Sequence, residues 1–314
     1  MKINRRTVLG VSGYALAGSL MSARLALAAA EMKTLHLLAS VGKPSIAWTT
    51  LDVLRPGLQQ ALKGEVVIQA VTGHDGLDAL HEVLQAGAEE PRIFGTGIMS
   101  TQYAWRIVKA DVRLESLTPI AKATNGFSLT LFAKQGSALK SWADLASAPK
   151  PLKLSSLQRH TAAYFAVLMV ERKGGLAPDV VFHDTIGEVI EDVMTGRSPL
   201  GVANTSLVAT KQGQLQPIVT FGAQRNMMLS QTPTFAEVTG NPKLAYTESI
   251  GVFASPKLDP ALANRLTKAF MAAGSDMSVQ GMAEAANIPL AVSGPEILTE
   301  TMARNEGVLK HVLG

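Results

Sequence analysis

The apolar positions of this chain come in short runs that alternate with longer stretches of helical spacing. Thr34-Leu35-His36-Leu37-Leu38-Ala39 is a compact apolar run and predicts a strand. From Ser45 to Leu62 the residues Ile46, Leu51, Leu54, Leu58 and Leu62 recur every three to five positions. That spacing predicts a helix, which Gly64 ends. Glu65 to Val71 predicts a second strand. Asp75 to Ala86 predicts a helix with Leu77, Leu80 and Leu84 on one face, and Arg92 to Gly95 a third strand. A β-α-β-α-β order predicts a parallel sheet covered by helices on both faces, with right-handed crossovers.

The rhythm breaks at Leu117 to Ala133, where LTPIAKAT and FSLTLFA are two extended stretches with little helix between them. Such a segment suits a chain crossing from one lobe to another. Alternation then returns: strand near 152–155, helix near 160–173, strand near 180–183, helix near 186–195, strand near 199–203. A second crossing is expected between Thr220 and Ser255. Helices close the chain at Pro260 to Ala273, Met277 to Ala286 and Pro295 to Leu309. The expected architecture is α/β with two lobes, each a mostly parallel sheet flanked by helices. Lobe 1 comprises residues 31–124 and 222–314, and lobe 2 residues 125–221. The ligand cleft of such a molecule lies between the lobes, beyond the carboxyl ends of the strands.

The first thirty residues read differently. MKINRR carries Lys2, Arg5 and Arg6, an apolar segment runs from Val8 to Leu20, and Leu25 to Ala30 ends in small residues spaced A-x-A. This is the layout of a cleavable secretory signal, with cleavage near Ala28 to Ala30, and it predicts a periplasmic protein. Asn4-Arg5-Arg6-Thr7-Val8-Leu9 partly resembles the twin-arginine signal but lacks its preferred Ser/Thr and Phe, so the general export route is favoured. The segment also changes the electrostatics. The whole chain has formal charge +4, and all of that excess sits in Lys2, Arg5, Arg6 and Arg24. The mature chain is formally neutral, which gives no basis for nucleic-acid binding. Absence of cysteine excludes disulfides, thiolate metal sites and cysteine nucleophiles.

Candidate chemistry gathers at the strand-to-helix handovers. In LKLSSLQRHTAAY, Ser155 and Ser156 end a strand, and the helix begins near Arg159, His160 and Thr161. A helix N-terminus accepts a carboxylate or phosphate, and Arg159 and His160 would add charge-assisted bonds. Capping by Ser155, Ser156 or Thr161 is the alternative. After the first strand, Ser40-Val41-Gly42-Lys43-Pro44-Ser45 repeats the theme of a hydroxyl and a cation at a helix start, with Trp48 close by. Two such loops, one per lobe, are what a two-jawed anion clamp requires.

From Leu117 onward the chain resembles the substrate-binding proteins of tripartite tricarboxylate transporters, the Bug or TctC type. The segments that carry the likeness are LTPIAKAT, FSLTLFAKQGSALKSWADL, LKLSSLQRHTAAYFAVLMVERKGG, PIVT with TPTFAE, and GVFASP. The first-lobe loops SVGKPSIAW and VTGHDGLDA depart from the family pattern, as does Phe182-His183-Asp184-Thr185. The resemblance implies a type II-like periplasmic binding protein that closes on a small organic acid and delivers it to integral membrane permease subunits. The chain is expected to be a monomer without cofactor or catalytic residues. By position, the implied ligand contacts are Val41, Gly42, Lys43 and Ser45 from the first lobe and Ser155, Ser156, His160 and Thr161 from the second. Thr185 and Asn204 are further contacts, Thr96, Gly97 and Asn125 line the floor or hinge, and Gly73 and His74 border the entrance.

Two other readings remain at this point. An exported hydrolase would need Ser155 and His160 to meet an acid such as Asp184, and no G-x-S-x-G motif is present. A receptor reporting to a sensor kinase would look the same in sequence. The six histidines show no metal-ligand spacing, and Gly95-Thr96-Gly97 is too short for a dinucleotide loop.

Overall fold

The computed structural model describes residues 32–43, 45–73 and 76–314; the expected export signal, Pro44 and His74 lie outside them. The first lobe opens with strand β1 (Thr34–Ala39), helix α1 (Ile46–Leu62), β2 (Glu65–Ala70), α2 (Leu77–Gln85) and β3 (Arg92–Gly97). Next come α3 (Ile98–Ile107), a short 3₁₀ turn and β4 (Thr118–Thr124). The second lobe holds β5 (Leu129–Lys134), α4 (Trp142–Ser147), β6 (Leu152–Leu157), α5 (Ala162–Gly174), β7 (Pro178–His183), α6 (Ile186–Thr195), β8 (Leu200–Asn204), α7 (Thr205–Ala209) and β9 (Leu215–Thr220). The chain returns through α8 (Phe235–Thr239) to β10 (Ile250–Ala254), α9 (Pro260–Ser275), α10 (Met277–Ala285), β11 (Leu290–Ser293) and α11 (Pro295–Leu313).

The strands form two sheets, ordered β11-β4-β10-β3-β1-β2 and β7-β6-β8-β5-β9. Read from β2 inward, the first sheet repeats the order of the second. A second, first and third strand run parallel, then comes an antiparallel strand, then one that runs with the first three; β11 extends the first sheet by one more strand, antiparallel to β4. Both sheets are therefore mixed, where mostly parallel sheets were expected. The reason is connectivity. Strands joined by a helix crossover stay parallel, whereas β10 and β5 each arrive from the other lobe and enter in the opposite sense. The two crossings touch: Phe127 and Glu248 exchange backbone hydrogen bonds of 2.8 and 2.9 Å.

Burial explains the strand sequences. In β1, Leu35, Leu37 and Ala39 face the core under α1, α9 and α10, while Leu38 faces the other core with Phe94 and Phe253. A strand covered on both faces needs no polar alternation, hence the run TLHLLA. Helices α1 and α9 pack so closely that a Cβ on Gly57 would lie 2.9 Å from the Ala273 backbone.

Helix α3 was not foreseen. Its segment IMSTQYAWRI is buried on nearly every side and so shows no polar stripe to set a period. Ile98, Ala104 and Trp105 pack in the first lobe, whereas Met99 and Tyr103 belong to the core of the second. Helix α11 does the same, with Leu298 and Met302 in the first lobe and Val308, Leu309 and Val312 in the second. Arg106 and Glu306 join the two helices at 3.0 Å.

The α1–α9 contact makes a direct stability prediction. Gly57→Ala should lower the denaturation midpoint, at a cost of about 1–3 kcal/mol from overpacking against main chain that cannot yield. Urea melts of the two proteins check it.

Candidate ligand-binding cleft

Because β1, β2 and β3 are parallel, their carboxyl ends share one edge, and β6, β7 and β8 share another. The described residues at 40–43 and 71–73 and the head of α3 rise from the first edge. The residues 158–161, 184–185 and Asn204 rise from the second. The edges meet where Ala162 N–H, the first amide of α5, donates to Ser100 Oγ at 3.0 Å. Beside this bond Tyr246 Oη donates to Ala162 O at 2.5 Å, and the Tyr103 and Phe165 rings lie 5.4 Å apart.

The head of α3 is closed by the returning crossing. Ile98 N–H donates to Ser249 O at 2.8 Å. Glu248 Oε1 accepts from Met99 N at 3.0 Å and Ser249 N at 2.9 Å, and Oε2 accepts from Ser100 N at 2.9 Å and Ser100 Oγ at 2.5 Å. The glutamate is buried. Burial pushes its carboxyl above the ordinary glutamate value, against the pull of the surrounding hydrogen bonds. All four of these partners donate to the carboxyl, which offsets part of the cost of burying a carboxylate. Neither Glu248 nor Ser100 was expected as a site residue. A lone Glu in a loop reads as solvated, and Ser100 sits in the helix that the pattern did not reveal.

The first-lobe candidates divide into framework and surface. Ser45 caps α1, accepting from Trp48 N at 3.1 Å. Thr96 is buried, its Oγ1 lying 2.8 Å from Ser40 Oγ and 2.7 Å from Thr101 Oγ1. Gly97 leaves room for Glu248, since a Cβ there would lie 3.1 Å from Oε2. Gly73 has φ +146° and lies against Asp78. Gly42 is open: a Cβ added there would meet only Thr72, at 3.9 Å. Val41 is exposed, and Lys43 Nζ stands 5.0 Å over the Trp48 ring. Asn125 is exposed, its amide donating to Pro289 O at 2.9 Å.

The second-lobe candidates divide in the same way. Thr161 caps α5, accepting from Tyr164 N at 3.3 Å. Thr185 caps α6 in a reciprocal capping box with Glu188. Asn204 occupies the cap position of α7 without a side-chain bond to it. His160 is exposed. Arg159 is exposed too, and is held in place: its guanidinium lies 4.5 Å over Phe182 and 5.5 Å over Tyr164, and Nη1 donates to Tyr164 Oη at 3.2 Å. The two serines separate. Ser156 is fully buried, its hydroxyl without a partner among the described residues.

Ser155 faces away from the α5 terminus. Its Oγ donates to Asp192 Oδ2 at 3.0 Å and lies 2.8 Å from Ser198 Oγ, with no exposure to solvent. Asp192 also accepts from Arg197 Nε at 2.5 Å and lies 3.0 Å from His183 Nε2. The hydrolase arrangement of Ser155, His160 and Asp184 is not assembled. Asp184 instead accepts from Gln158 Nε2 at 2.7 Å. The set that does assemble, Ser155, His183 and Asp192, presents one imidazole nitrogen, Nε2, to both partners. That geometry cannot relay a proton from hydroxyl to carboxylate through opposite ring nitrogens. The anion clamp expected from bare helix termini also changes form. At α3 and α5 the chain's own carboxylate and hydroxyls hold amides that a ligand would have used, leaving charged side chains at the rim.

With this geometry in hand the chain can be placed among known structures. It superposes on a TctC solute-binding protein from Polaromonas without ligand with a TM-score of 0.75 and 14% identity, over 90% of this chain and 98% of that one. The fold is that of the TctC-type solute-binding proteins. MatC from Rhodopseudomonas palustris with bound malate matches at TM-score 0.71 and 18% identity, over 88% of this chain and 99% of that one. A second R. palustris protein, with adipate, matches at 0.71 and 17%, over 90% and 97%. No protein-family model and no curated protein matches the chain. Among the described residues no helix is long and apolar enough to cross a membrane, and no cluster of three metal-ligating side chains occurs.

Two outcomes follow for the Ser155 cluster. Ser155→Ala should cost about 0.5–1.5 kcal/mol of stability and leave ligand affinity unchanged; calorimetric melts and titrations measure both. For Asp192, burial raises the carboxyl, but the bonds from Arg197 and Ser155 and the nearby His183 lower it further, so it sits below its usual 3.8. The stability it adds is present above that value and is lost as pH falls through the lower folded one. Asp192→Asn should therefore flatten the acid limb of a stability-versus-pH curve below about pH 4.

Proposed function

We propose that the chain is an exported receptor that captures a small organic acid between its two lobes and hands it to the membrane permease of a tripartite tricarboxylate-type transporter. It works as a periplasmic monomer and carries out no chemistry on the ligand. The observation that carries this reading is Arg159. A cation beside a helix N-terminus is mildly unfavourable, yet here it is exposed and stacked on Phe182 and Tyr164, three residues before Ala162, whose amide meets Ser100 of the other lobe. A guanidinium fixed in this way loses little entropy when it pairs with a planar carboxylate. Lys43 over Trp48 offers a second cation on the opposite lobe. Val41, Gly42, His160 and Asn204 complete the proposed contact surface, while Ser45, Thr161 and Thr185 set the backbone beneath it. The malate and adipate held by two proteins of the same fold favour an acid ligand.

The test is a thermal-shift screen of residues 31–314 against small organic acids. A ligand that binds only the folded state adds about 2.7 kcal/mol at a hundredfold excess over its Kd. A shift with an acid that is absent with its amide supports the reading; a shift confined to neutral or cationic solutes sinks it. Arg159→Ala should weaken the acid by about ten- to a hundredfold, the worth of one charge-assisted bond. Arg159→Lys should not restore full affinity, because an ammonium offers neither the planar fork nor the same stacking.

A further inference from the structure

Where the two sheet edges meet, the chain carries a buried carboxyl group faced by four hydrogen-bond donors. We propose that the buried Glu248 carboxylate makes this receptor selective for monocarboxylic acids with an uncharged remainder, against dicarboxylic acids; the proposal rests on the acid-receptor reading above. Glu248 stands where the two sheet edges meet, and its hydrogen-bonded partner Ser100 touches the first amide of α5. Its two oxygens accept four hydrogen bonds, which fills their lone pairs. It therefore has no capacity left for a ligand ammonium or hydroxyl, and it acts on the ligand through its field.

No ion pair to Glu248 occurs among the described residues. The partial positive charge at the head of α3 offsets only about half of a full negative charge. A ligand lying inward from Arg159 can place one carboxylate on the guanidinium at the rim. A second carboxylate at its inner end would approach Glu248 in a setting of low effective dielectric, where like charges several ångströms apart repel by enough to cost about tenfold or more in affinity. The amides of α3 that would reward such a group are taken. An uncharged inner end meets no such penalty, and the aromatic rings of Trp48, Tyr164 and Phe182 at the rim suit an apolar body.

Chain-matched acids test this on residues 31–314 by isothermal titration, with hexanoate against adipate and benzoate against terephthalate. The expected result is that in a pair that binds, the monoacid is tighter by about tenfold or more, and that Glu248→Gln closes the gap by strengthening the diacid. Glu248→Asp keeps the charge and should keep the preference. A diacid that binds wild type as tightly as its monoacid overturns the selectivity and leaves the acid receptor standing. A full panel of mono- and diacids without binding defeats the acid receptor itself, and this proposal with it. Should Glu248→Gln fail to fold, the wild-type affinity ratio still decides.

Discussion

A carboxylate taken out of water survives only among donors, and Glu248 is given four of them by two stretches of chain from different parts of the fold, Met99-Ser100 and Ser249. An unpaired buried charge costs several kcal/mol, so this set of bonds fixes more than one side chain. It pins the returning crossing at 248–249 against the head of α3 and, through Ser100 Oγ, brings α5 of the second lobe to the same point. The juxtaposition of the sheet edges, and hence the place where a ligand can lie, depends on that cluster. Its geometry also accounts for Gly97, where a side chain would intrude on the carboxylate.

Around this point the two lobes are built alike. Each sheet starts with three parallel strands whose carboxyl ends aim toward the other lobe, and each is then crossed by one antiparallel strand that comes from across the boundary. Local capping does the rest. Ser45, Thr161 and Thr185 each accept from an amide in the first turn of the helix that follows, which sets how the loops leave the edge. Cations too exposed to serve the fold, Lys43 and Arg159, are stacked on rings instead of hanging in solvent.

Much of this was legible in the residues. Strands dense in leucine and helices with a clear apolar stripe announce themselves, which is why α1, α6 and the alternation around them agree with expectation. Helix α3 does not, because a helix enclosed on all sides has nothing polar to mark its turn. The serine pair shows a different limit. Ser155 and Ser156 look like one feature, yet adjacent residues on a strand face opposite ways, so one hydroxyl joins the Asp192 cluster and the other does not. Alternation alone would have separated them. Glu248 could not have been singled out, since a solvated glutamate and one walled in by amides are written with the same letter.

Helices α3 and α11 each contribute to both apolar cores. Neither lobe is thereby a self-sufficient folding unit. The second, cut out on its own, would lose Met99, Tyr103, Val308, Leu309 and Val312 from its interior and present that gap to water. Sharing of this kind ties the stability of each half to the presence of the other.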